Sequence, residues 1–137
     1  MSLVVDASVA VKWVVLEESR ADALRRTAGV DLAGPDFVLV EAANILWKKV
    51  RRKELDQKQA HLGLEFIRGA YQSLVPASDL IDDAASISFE IDHPVYDCLY
   101  LACARRLGLS LLTADQKLAQ RGEAAGFEVA LLSRAAP

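Results

Sequence analysis

Short apolar runs rich in β-branched residues, each halted by a polar residue or a turn, alternate along this chain with longer stretches of helical periodicity. Leu3-Val4-Val5 stops at Asp6 and predicts a buried strand. Val9, Lys12, Trp13 and Leu16 are spaced for a short helix that starts at Ser8, and a second helix is predicted over Ser19 to Ala28, stopped by Gly29. Asp31 to Ala33 reads as a brief strand, Gly34-Pro35-Asp36 as a turn, and two helices follow over Phe37 to Lys53 and Gln57 to Ala70. Ser73 to Pro76 predicts a strand and Asp79 to Ile91 a helix, after which His93-Pro94 breaks the chain. A helix over Val95 to Leu107, closed by Gly108, leads to a strand over Leu109 to Leu112. A helix over Gln116 to Ala125 and a strand over Phe127 to Leu132 end the series. Parallel neighbours need crossover connections, so the alternation predicts a three-layer α/β/α fold with a mostly parallel sheet of four to five strands.

At 137 residues the chain has room for one core, and a single domain over 1–137 is expected. Sixteen Lys and Arg against nineteen Asp and Glu leave a net charge of −3, which argues against binding nucleic acid by bulk electrostatics. The first residues carry no basic leader, and Asp6, Lys12, Glu17 and Glu41 interrupt the apolar runs far short of a membrane span. A cytoplasmic protein without a membrane partner is expected. Cys98 and Cys103 are the two cysteines; on one helix their spacing is too long for a disulfide, and with His61 and His93 they form no metal-ligand pattern. That excludes zinc, iron-sulfur and Cys-His chemistry.

What remains is acidic. Asp6 and Asp115 each follow an apolar strand, and in a parallel sheet the strand ends share the edge where ligands bind. Each also admits a simpler reading as the start of the next helix, and Thr113-Ala114-Asp115-Gln116 fits a capping box. Glu41 lies in the apolar stretch Phe37 to Leu46, with Phe37, Val38, Asn44 and Ile45 as its helical neighbours and no cation among them. A carboxylate so placed needs either a tertiary Lys or Arg or a bound cation. Asp97 is the sole charge between Asp92 and Arg105, and its alternative reading is a first-turn acid behind Pro94. Carboxylates that converge repel unless a cation intervenes, and oxygen donors without His or Cys suit magnesium or manganese. Such a site activates water for phosphodiester cleavage.

Val4-Val5-Asp6-Ala7-Ser8, Glu41 with Asn44, Val95 to Ala102 around Asp97, and Leu112-Thr113-Ala114-Asp115-Gln116-Lys117-Leu118 together resemble the PIN-domain nucleases, most closely the VapC-type toxins. The resemblance covers nearly the whole chain, in order. It implies a metal-dependent endoribonuclease in which Asp6, Glu41, Asp97 and Asp115 hold magnesium or manganese, supported by the Ser8 and Thr113 hydroxyls. It further implies strand order 3-2-1-4-5, a homodimer, an RNA substrate and a cognate antitoxin.

Lys48, Lys49, Arg51, Arg52 and Lys53 form the densest basic run, read either as an RNA grip or as a solvated helix end. Trp13 and Trp47 read as core or dimer interface, or else as stacking platforms for bases. His61 has no evident role, and His93, beside Asp92 and ahead of Asp97, borders the site. A haloacid-dehalogenase-type phosphatase would need a second Asp where Ser8 stands, and a response-regulator receiver would need paired acids at Asp6. The rival from another class is a catalytically silent PIN-like interaction domain whose acids are caps.

Overall fold

In the computed structural model, residues 1–132 are described; residues 133–137, the end of the expected domain, lie outside the described residues. Five strands, β1 (Ser2–Val5), β2 (Asp31–Pro35), β3 (Ser73–Val75), β4 (Leu111–Thr113) and β5 (Val129–Leu131), pair in parallel in the order 3-2-1-4-5. Among the described residues seven α-helices connect and cover them: α1 (Ala7–Ala10), α2 (Arg20–Thr27), α3 (Phe37–Arg51), α4 (Gln57–Ala70), α5 (Ala77–Ile91), α6 (Val95–Leu107) and α7 (Gln116–Ala124). The result is the expected three-layer α/β/α arrangement, with a sheet that is wholly parallel among the described residues. β1 is central and enclosed, with Val4 and Val5 fully buried beside Leu111 and Leu112 of β4. The chain steps outward from β1 to β2 and β3, then returns past β1 to β4, so the strand order reverses between β1 and β4. Side chains that leave the ends of those two strands are delivered to one place.

Several boundaries differ from the sequence expectation, each for a local reason. The helix expected through Leu16 ends as α1 followed by a 3₁₀ turn over Val11–Trp13, with Val14 N donating to Val11 O at 3.1 Å; Leu16 lies beyond it, 93% exposed. Val9, Val11, Val14 and Val15 crowd this segment with branched side chains that disfavour helix. The turn expected at Gly34-Pro35 is instead the end of β2, where Gly34 pairs with Leu74 and Pro35 with Val75. Pairing with β1 has stopped at Ala33, so the donor that proline lacks is not needed on that side. α3 ends at Arg51, two residues short of Lys53, which adopts a left-handed φ of 62°.

β4 and β5 each begin two residues later than the apolar pattern suggests, because the preceding helix uses the intervening amides. Gly108 at φ 67° closes α6, and Leu109 N donates to Ala104 O at 2.9 Å. Gly126 at φ 92° follows α7, and Phe127 N donates to Gly122 O at 3.0 Å. Both are Schellman closures, in which the residue after the glycine folds back onto the helix rather than joining the sheet. α5 begins two residues earlier than expected: Asp36 Oδ1 accepts from Ala77 N at 2.9 Å and fastens its first residue.

Candidate active site

Asp6 is the first residue past β1 and caps α1 with an extended backbone, its Oδ1 accepting from Val9 N at 3.2 Å. Ser8 Oγ donates to the same oxygen at 2.6 Å, and the Thr113 hydroxyl donates to Oδ2. These two hydroxyls also join the strand ends, since Ser8 Oγ accepts from Ala114 N and Thr113 Oγ1 from Asp115 N, each at 3.0 Å. The carbonyl just before, Val5 O, is fixed by the Tyr71 hydroxyl at 2.6 Å. Gly34 leaves room for that ring, because a Cβ there would sit 3.2 Å from Tyr71 Cε1. Asp6 is 3% exposed, and burial pushes its carboxyl up to about 7 against the lowering effect of Ser8, Thr113 and the Val9 amide; the Glu41 charge pushes the same way as burial.

Glu41 comes from the middle of α3, which runs beside α6. Phe37 and Tyr96 stack with ring centroids 5.7 Å apart, and one turn further along both helices the Tyr100 hydroxyl donates to Glu41 Oε1 at 2.7 Å. The partner that Glu41 needed is therefore a neutral phenol, and among the described residues no Lys or Arg pairs with it. Burial raises the Glu41 carboxyl, with further upward pressure from the charges of Asp97 and Asp115. Asp97 occupies the first turn of α6 behind Pro94, and its Oδ2 lies 2.7 Å from His93 Nε2. Asp115 caps α7, its Oδ1 accepting from Lys117 N at 2.9 Å and Leu118 N at 3.1 Å. The capping box expected at Thr113 is absent: Thr113 is the last residue of β4, its hydroxyl is engaged with Asp6, and the cap is Asp115.

The cap reading and the site reading of these acids are thus compatible. Glu41, Asp97 and Asp115 each have one oxygen held by a neutral donor or by His93, while Glu41 Oε2, Asp97 Oδ1 and Asp115 Oδ2 have no hydrogen-bond partner among the described residues. Asp6 has Oδ1 occupied twice and Oδ2 once, which leaves one acceptor position. Such an all-oxygen donor set fits a hard divalent cation that keeps part of its water shell. Among the described residues no three His, Cys, Asp or Glu side chains stand close enough to form a ready-made cage.

A family model of the PIN domain matches residues 3–124, a span that contains all four acids. This chain belongs to the PIN-domain family. It is 35% identical over 124 residues to ribonuclease VapC3 of Pyrobaculum aerophilum, which covers 88% of this chain and 95% of that protein. Two crystal structures share the fold: VapC20 of Mycobacterium tuberculosis, a toxin that cleaves the sarcin-ricin loop (TM-score 0.71, 20% identity, 96% of this chain and 98% of that one), and VapBC2 of Rickettsia felis bound to a promoter DNA fragment (TM-score 0.70, 14% identity, 97% and 100%). No helix of the described residues is long and apolar enough to cross a membrane.

Within this PIN domain the other candidates separate. Trp13 is buried, its ring tilted against Tyr71 with centroids 6.1 Å apart, so it belongs to the core. Trp47 is 53% exposed with the Arg51 guanidinium over its ring at 5.5 Å, so it is not a core residue. Of the basic run, Lys49 is drawn inward to Glu17, which Lys12 also contacts at 2.8 Å, whereas Lys48, Arg52 and Lys53 face solvent. His61 is exposed and distant from the acids in the chain, lining instead a groove of about 520 Å³ between α3 and α4 with Trp47 and Leu64. Cys98 and Cys103 are buried and free, and burial pushes both thiols up to about 11. The reading of the residues overlooked Tyr71 and Tyr100. Tyr100 carried a signal, since it lies one helical turn past Asp97, on the same face; Tyr71 carried none.

Proposed function

We propose that the chain, as one nuclease domain over 1–137, is a magnesium- or manganese-dependent endoribonuclease of the VapC type. In this reading it is the toxin of a type II toxin-antitoxin pair, a cytoplasmic homodimer silenced by a cognate antitoxin. The observation that carries this is the set of four carboxylates, Asp6, Glu41, Asp97 and Asp115, around the strand edge where β1 and β4 end, three of them each with an oxygen that has no hydrogen-bond partner among the described residues. The 35% identity to a ribonuclease VapC3 supports the choice of RNA as substrate.

The mechanism rests on charge. Left alone, four acids in a chain of net charge −3 repel an RNA phosphate, and Asp6 and Glu41 have carboxyls raised chiefly by burial, with a smaller push from neighbouring acid charges. A divalent cation, when bound, supplies charge compensation and activates water for in-line attack on the phosphodiester. Asp6, Glu41 and Asp97 hold the ion directly or through water, and Asp115 acts through water. Ser8 and Thr113 keep Asp6 oriented and favour its ionised form, which the cation needs. Tyr100 does the same for Glu41 without adding a competing positive charge. An acidic cluster of this kind also favours an antitoxin that places an Arg or another cation beside it.

Expression of the intact chain beside an Asp6→Asn version, with the 5′ ends of total RNA mapped in both, tests the reading. Discrete new ends in the parent alone are expected; identical ends in both samples would sink it. The second reading, a catalytically silent PIN-like interaction domain, draws on Asp6 and Asp115 both serving as helix caps. It predicts no cleavage by either protein.

A further inference from the structure

His93 is joined to the acid site by geometry that the proposed chemistry does not use. Its side chain is 4% exposed, with Nε2 2.7 Å from Asp97 Oδ2 and Nδ1 buried without a hydrogen-bond partner among the described residues. The backbone that delivers the ring is fastened from three helices. Asp92, at a left-handed φ of 51°, ends α5, and Arg121 of α7 donates from Nη1 to the Asp92 carbonyl and to Ile91 O. His93 N donates to Ser88 O at 3.3 Å, while Ser88 Oγ at 2.5 Å and Cys98 Sγ at 3.7 Å donate to His93 O. Pro94 then starts α6, which carries Asp97 one turn later.

The two ring nitrogens are not equivalent. A proton on Nδ1 would be a buried donor with nothing to receive it, whereas a proton on Nε2 points at a carboxylate oxygen. The neutral ring therefore carries its hydrogen on Nε2. The ring is almost fully enclosed and its one side-chain hydrogen bond among the described residues is to Asp97, so its part in the site passes through that carboxylate.

We propose that His93 is a positioning residue for Asp97: its buried ring donates from Nε2 to Oδ2 and so reserves Oδ1, which has no partner among the described residues, for the divalent cation or its water shell. The inference rests on the acid-site reading above and adds to it a specific residue outside the carboxylate set. Hydrogen bonds to the far oxygen of a ligating carboxylate fix its direction and raise the affinity of the site, and their loss costs about 10- to 100-fold in metal binding.

Manganese titration of the full chain, followed by the electron paramagnetic resonance signal of the free ion, tests this with three substitutions at one position. His93→Gln keeps an N–H at the reach of Nε2, His93→Met has the same length without a donor, and His93→Phe keeps the ring without a donor. Circular dichroism melting establishes which variants are folded, and either donor-free variant suffices. The manganese Kd is expected to rise about tenfold or more in the folded donor-free variants, and to return close to the parental value in His93→Gln. Parental affinity in His93→Met or His93→Phe would overturn the proposal, as would His93→Gln binding as weakly as they do. Asp97→Asn separates the two failures. If the parent binds no manganese, or Asp97→Asn binds as well as the parent, the acid-site reading fails and this inference with it; if Asp97→Asn weakens binding and the donor-free variants do not, the inference fails alone.

Discussion

Replacing Asp6 with Asn removes a charge and keeps the shape of the site. The new amide oxygen can accept from Ser8 and Val9 as Oδ1 does, and the amide nitrogen can donate to Thr113 Oγ1, whose hydroxyl then accepts. In the folded, metal-free chain burial lifts the Asp6 carboxyl from 3.8 to about 7. Between those values the folded state retains a proton that the unfolded chain has already released. Stability from this group is therefore fully present below the unfolded value, declines as pH rises, and is gone above about 7. At about 1.4 kcal/mol per pH unit the span from 3.8 to about 7 is worth about 4 kcal/mol. The Asn variant does not titrate, so its advantage over the parent should grow from near zero around pH 4 to about 4 kcal/mol at pH 8, roughly 12 to 20 °C in melting temperature for a domain of this size. Urea unfolding of both proteins in chelator, at intervals from about pH 4 to about pH 8, measures the gap directly. A gap that stays constant across the range, or a parent that is the more stable protein at pH 8, would refute the claim that an uncompensated carboxylate is buried at the end of β1.

Three further outcomes follow from the same geometry. Millimolar magnesium should raise the parent's melting temperature by about 4 to 7 °C when free ion is roughly tenfold above its Kd, a gain of about 1.4 kcal/mol, and should leave Asp6→Asn nearly unmoved in calorimetry. Tyr100→Phe strips the hydroxyl from Glu41 without changing the core volume, and should lower stability by about 1 kcal/mol in urea unfolding while slowing RNA cleavage. Asp115→Asn retains a competent cap for α7, so urea unfolding should find its stability within about 0.5 kcal/mol of the parent, and the same cleavage assay should find it less impaired than the Asp6, Glu41 or Asp97 variants.

The legible part of this molecule is the part written in local pattern. Strand-then-helix alternation is a short-range property, and β1 was readable because Leu3-Val4-Val5 runs apolar up to Asp6 with no competing signal. The starts of β4 and β5 were misplaced because Leu109 and Phe127 have strand-like side chains but amides already engaged by Ala104 and Gly122. Pro35 misled in the opposite direction: proline reads as a turn unless one knows that the neighbouring strand has ended. The acids were visible for different reasons, Asp6 and Asp115 as strand ends and Glu41 as a charge with no cation within a helical turn. Their partners were not. Glu41 and Tyr100 are 59 residues apart, and Thr113 and Asp6 are 107 apart, so those hydrogen bonds exist only once the sheet has brought β4 beside β1 and α6 beside α3. The capping box at Thr113 was a plausible local pattern that lost to this long-range claim on the same hydroxyl.

The central claim, that Asp6, Glu41, Asp97 and Asp115 form one metal-dependent RNA-cleaving site, is tested most directly with purified protein and a labelled RNA pool. The parent and the Asp6→Asn, Glu41→Gln and Asp97→Asn variants, each shown to be folded, are incubated in chelator and then in millimolar magnesium or manganese. The account predicts cleavage by the parent with metal alone, none in chelator, and loss of most activity in each of the three variants. Undiminished cleavage by all three in magnesium, or equal cleavage by the parent in chelator, would contradict it.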